Sequence, residues 1–114
     1  MIPINILDNS GYPSEEYLQF IRDYNGDTMP IMDFVKLICD NWNYKGYRLT
    51  RKYKGTRRLE LHTLGWSGNE DVIRAIMGNV FLTSCLMSYN MWKAGGHFYF
   101  EIREKEQPQR KKSV

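Results

Sequence analysis

From Ala75 to Trp92 no residue carries a charge, and the apolar side chains in that run are too many to form a single stripe. On a helix begun at Glu70, they join Val72 and Ile73 to cover well over half of the circumference, and a helix so apolar cannot leave one side in water. The run has to be enclosed, either between a sheet and other helices or by a second copy of the chain. Its length approaches that of a bilayer span. However, Asn79, Thr83, Ser84, Ser88 and Asn90 interrupt it and Lys93 follows at one end only, so burial within protein is expected, with no membrane contact.

A chain of 114 residues can bury one such element in one core and is too short for two domains. The residues read as a single α+β domain over 1–102. From Arg103 a polar segment with Pro108 and Arg110-Lys111-Lys112 reads as a basic, disordered tail over 103–114. Aromatic residues make up 14% of the chain, which supplies the large rings that a small core needs.

Ahead of the apolar run the periodicity gives two helices and a hairpin. Pro13-Ser14 precedes apolar positions Tyr17, Leu18, Phe20, Ile21 and Tyr24, with Glu15 and Glu16 at the positive helix end. A second helix carries Ile31, Phe34, Val35, Ile38 and Trp42, with Asp27 or Thr28 available as its cap and Pro30 in its first turn. After Gly46 the period changes to two. Tyr47, Leu49, Arg51 and Tyr53 share one face of a strand, and beyond Gly55 Leu59, Leu61 and Thr63 share one face of another. A three-residue loop, Lys54-Gly55-Thr56, keeps the apolar faces together by opposing Leu49 to Leu61 and Arg51 to Leu59. After the long helix and a break at Ala94-Gly95-Gly96, Phe98, Phe100 and Ile102 alternate with His97, Tyr99 and Glu101 as a third strand. The expected order is ααββαβ, a small sheet packed on the central helix. The third strand is expected to run parallel to a hairpin strand, as a helical crossover demands.

Charge is unevenly placed. Residues 1–44 hold seven acids and two bases, a net of −5, whereas residues 45–58 hold seven bases and no acid, in a chain whose net charge is +3. Lys45, Arg48, Arg51, Lys52, Lys54, Arg57 and Arg58, interleaved with Tyr47 and Tyr53, are the candidate partner- or nucleic-acid-binding residues. They could neutralise phosphates and stack bases, meet an acidic protein face, or simply solvate a sheet edge. Trp66, in the Gly65–Asn69 connection, is either a plug folded over the core or a contact residue. That connection offers Ser67 or Asn69 as a helix cap and lacks the pattern of a phosphate-binding loop.

Catalytic signals are weak. His62 and His97 with Glu60, Tyr99 and Glu101 could gather on one sheet face and share a metal or a proton, but no local spacing fixes such a geometry. Cys39 and Cys85 form no close pair and read as small buried hydrophobes in a reducing compartment. No serine or cysteine nucleophile is framed by a motif, so the chain reads as non-enzymatic, with neither cofactor nor metal. The first residues lack the pattern of a secretory signal.

Gly65-Trp66-Ser67-Gly68-Asn69-Glu70-Asp71-Val72-Ile73, followed later by Gly95-Gly96-His97-Phe98-Tyr99-Phe100-Glu101-Ile102, resembles a group of small accessory proteins of tailed phages and prophages. That group has a Gly-Gly-Trp-Ser-Gly-Asn-Glu segment before a helix and then a Gly-Gly-His-aromatic strand. Here Leu64 stands where the group often shows a second glycine, and the resemblance covers only residues 60–102. It implies a viral accessory protein in a bacterial cytoplasm that inhibits a host defence complex, of anti-CRISPR or anti-restriction type, by occupying a surface. The partner would be a bacterial protein or a protein–nucleic acid complex, reached by the acidic N-terminal helices or by the basic hairpin. A regulatory protein that binds DNA or RNA directly is the alternative, and a small metal-dependent enzyme requires His62 and His97 to converge.

Overall fold

The computed structural model describes residues 5–43, 46–50, 55–93 and 96–103. The chain forms α1 (Glu15–Asp23), α2 (Ile31–Asp40), β1 (Tyr47–Leu49), β2 (Thr56–His62), α3 (Ser67–Met77), a π-helical turn (Leu82–Leu86), β3 (Met87–Lys93) and β4 (His97–Arg103). The class is α+β, as the periodicities require. Ser14 caps α1 by accepting the Tyr17 N–H at 3.0 Å. α2 starts from Pro30, not from a side-chain cap at Asp27 or Thr28. Proline already holds the φ of a helix start and has no N–H to leave unpaired.

The continuous helix expected over Glu70–Trp92 is not formed. α3 ends at Met77, with Gly78 as its C-cap, and the helix is interrupted at Asn79. Gly78 weakens helix propagation, and Asn79 supplies a stronger alternative to it. The Asn79 side chain is buried, its Nδ2 donates to Ile21 O at 2.9 Å and Tyr24 O at 2.8 Å, and its Oδ1 accepts the Leu82 N–H at 3.0 Å. One amide thus closes off α3, starts the next turn and ties both to the end of α1. Beyond the π turn, Met87–Lys93 is a strand.

All four strands form one sheet in the order β1-β2-β4-β3, and every neighbouring pair is antiparallel. β4 is antiparallel to β2, the hairpin strand it pairs with, and therefore parallel to β1, the hairpin strand beyond it, as the expectation of one parallel hairpin strand requires. Since β2 and β3 are both antiparallel to β4, the strand parallel to β2 is β3, two places away. The helical crossover joins those two, and β4 returns into the gap between them. A register shift between Tyr89 and Met91 marks a bulge in β3.

The hairpin pairs Tyr47 with Leu61, Arg48 with Glu60 and Leu49 with Leu59. This is two residues from the expected register, so the parity that keeps apolar residues on one face is kept while each partner changes. The connection at 51–54 lies outside the described residues.

One face of the sheet is covered by the helices. Leu59, Leu61, Met87, Phe100 and Ile102 meet Tyr17, Ile21, Phe34, Ile38, Val72, Ile76 and Leu82 in a single core. Trp42 Nε1–H donates to His62 O at 3.1 Å, which pins the end of α2 to β2. Asn69 is spent in the same way: its Nδ2 reaches Asn43 O and Thr63 O, and its Oδ1 accepts the Asn43 N–H. It is therefore no cap of α3, whose N-cap is Trp66 without a side-chain bond. Cys39 is buried and Cys85 is exposed, which corrects the expectation that both are enclosed. Among the described residues no helix is long and apolar enough to cross a membrane.

Candidate functional site

On the other face of the sheet, the chemistry of the described residues follows from alternation and register. β2 places Arg58, Glu60 and His62 on it, and β4 places Glu101, Tyr99 and His97 directly opposite them. β1 adds Arg48, opposite Glu60. The result is an outward ladder of paired side chains, in which Arg58 faces Glu101, Glu60 faces Tyr99 and His62 faces His97.

Within this ladder the groups touch. The guanidinium of Arg58 lies over the Tyr99 ring, 4.8 Å from its centroid, a contact between cation and ring quadrupole. His62 meets Tyr99 edge-on at 6.1 Å. His62 and His97 approach with Nδ1 to Nδ1 at 2.8 Å, and Glu60 Oε1 is 3.6 Å from Nε2 of His62. At 2.8 Å one imidazole must donate and the other accept, so the two rings share a proton in one contact. The convergence that the sequence left undecided is therefore realised, through the one-to-one pairing of β2 and β4. A complete metal centre is not: among the described residues no group of three or more potential ligands gathers.

The basic residues singled out from the sequence separate in the structure. Arg48 and Arg58 are exposed on the outward face. Arg57 is half-buried and belongs to the inner face, opposite Ile102, because it shares the parity of Leu59 and Leu61. Tyr47 also has the inner parity, opposite Leu61, but is 38% exposed at the sheet edge. Lys45, Arg51, Lys52, Tyr53 and Lys54 lie outside the described residues. Trp66 lies against its own loop and Tyr12. Its ring is half-buried, 4.8 Å from that of Tyr12, and it covers Gly68 so closely that a Cβ there would overlap the indole.

The chain matches no family model, and comparison with curated proteins and with solved structures finds no match.

Proposed function

We propose that the chain is a non-enzymatic binding protein that occupies a protein surface of its partner with the outward face of its sheet. The observation that supports this reading is the register. The stretch that is purely basic in sequence is interleaved in space with acids from other strands, Arg48 facing Glu60 and Arg58 facing Glu101. A phosphate track draws on an uninterrupted positive potential. A protein contact draws on alternating charges around aromatic and arginine anchors. Arg58 over Tyr99, beside the histidine pair, is such an anchor, already ordered before any partner arrives.

The phage resemblance of the Gly65–Ile73 and Gly95–Ile102 segments supplies the setting. The partner in this reading is a host defence complex in a bacterial cytoplasm, of anti-CRISPR or anti-restriction type, and inhibition follows from covering its working surface.

The test is capture from a bacterial lysate that contains such complexes, followed by mass spectrometry, with the wild-type chain beside an Arg48→Glu/Arg58→Glu variant. Both positions are exposed, so the variant should fold normally. Capture of a defence complex that the variant loses supports the proposal, and equal capture by both chains removes the sheet face from the mechanism. Binding to bare DNA or RNA that collapses between low and moderate salt would instead favour a nucleic-acid regulator.

A further inference from the structure

Away from the sheet face, the loop joining α1 to α2 stands opposite Phe81 and the π turn across an open cleft of about 630 Å³. Its lining is largely apolar: Tyr24, Met29, Ile31 and Met32 from the loop and the start of α2, Phe81 and Leu86 from the other side. The loop is braced. Tyr24 Oη–H donates to Met29 O at 2.7 Å, Asn25 Oδ1 accepts the Asp27 N–H at 2.9 Å, and the Tyr24 ring stacks on Phe34 at 4.0 Å. These contacts fix the loop that forms one wall of the cleft.

Bare apolar surface gathers beside it. Phe81 is 45% exposed, and Val80, next to it in the chain, is 72% exposed. Large apolar side chains grouped in this way mark an interaction site, where scattered ones would not. Methionine walls add the ability to fit side chains of differing shape.

Charge selects the occupant. Asp27 lines the cleft and Asp33 lies in the first turn of α2. Burial first, and then the fields of Asp33 and Asp27, push the Tyr24 phenol up to about 12, so negative potential reaches the cleft lining itself. The cation in the lining is Arg103. We propose that this cleft docks a segment of a partner protein with large apolar side chains next to lysine or arginine, its basic flank at Asp27 and Asp33 and its other end toward Arg103. Residues 104–114 follow Arg103 but offer only Pro108 and Val114 as apolar groups, too few to fill such a space. A two-fold dimer through the same corner would set its acids against their own copies. The proposal is independent of the sheet face.

The test uses the full-length chain labelled with nitrogen-15 and a synthetic amphipathic peptide of leucine and lysine, beside the same peptide with glutamate for lysine. The lysine peptide should shift the amides of Gly26, Thr28, Ile31, Phe81 and Leu86 and leave those of Arg58, Glu60 and Tyr99 in place. Phe81→Ser and, separately, Asp27→Lys should each weaken binding roughly tenfold, the usual effect of removing an anchor or a complementary charge. Equal affinity for the two peptides, or shifts confined to the sheet face, overturns the proposal. So does a concentration-dependent dimer that Phe81→Ser abolishes, which would give the corner to a second copy.

Discussion

Replacing Asn79 with alanine tests the device that turns an apolar run into two elements. The substitution removes three hydrogen bonds at a buried position, leaving Tyr24 O and the Leu82 N–H without this partner. Ile21 O keeps a long contact from the Tyr24 N–H at 3.4 Å, so its loss is the smallest. At about 1 kcal/mol for each bond, with more where a buried group is stranded, the cost is about 3 kcal/mol. Small domains have roughly 5–15 kcal/mol to lose, so this is a large share. With a urea dependence of about 1–3 kcal/mol per molar, the unfolding midpoint should fall by roughly 1–3 M at unchanged slope. Asn79→Asp should be worse than alanine, since a carboxylate facing Ile21 O and Tyr24 O repels where the amide donated. A midpoint within about 0.3 M of wild type for the alanine variant would refute the reasoning, because the break after α3 would then be held by something other than this side chain.

Gly96 has φ of +86°, and a Cβ there would overlap the buried Thr63 hydroxyl, so Gly96→Ala should cost about 2–4 kcal/mol and lower Tm by roughly 10 °C. Thr63→Ala in the same chain should recover part of that loss, and scanning calorimetry of the single and double variants decides. A thiol reagent should modify Cys85 rapidly in the native protein and Cys39 only after denaturation. Burial first, and then Asp40, pushes the Cys39 thiol up to about 12, so the folded state holds that proton after the unfolded state has released it. Stability from this source is present below pH 9 and falls by about 1.4 kcal/mol for each unit as pH rises from about 9 toward 12. In urea titrations Cys39→Val should remove that portion of the alkaline loss.

Legibility of the sequence followed local pattern and failed where partners were needed. α1, α2, β2 and β4 have clean periods, and each lies where its period puts it. Residues 70–92 do not, because a run in which nearly every residue is apolar satisfies a helix and a buried strand equally. Gly78-Asn79 was the signal for the break. The alternation of Met87, Tyr89 and Met91 with Ser88 and Asn90 was the signal for β3. The hairpin shows the limit most clearly: apolar matching fixed which faces meet but not which residues, and the observed register is two residues away.

The outward ladder was half legible. Alternation alone placed Arg58, Glu60, His62, His97, Tyr99 and Glu101 on outward faces, but bringing the histidines within 2.8 Å required β4 to lie beside β2 in one register. The expectation that the third strand runs parallel to one hairpin strand is met by β1, and it left open that β4 lies beside β2. The same register put Arg57 on the inner face, so a tally of basic residues along the chain overstated the cations available to a partner.

β4, the last strand among the described residues, is an inner member of the sheet. While the polypeptide is emerging from the ribosome, β2 and β3 must wait with an unsatisfied flank each, and neither gains its neighbour until the residues up to Arg103 are out. Closure of this sheet therefore waits for β4, and a fragment ending before β4 would expose two sticky margins rather than a smaller version of the same fold.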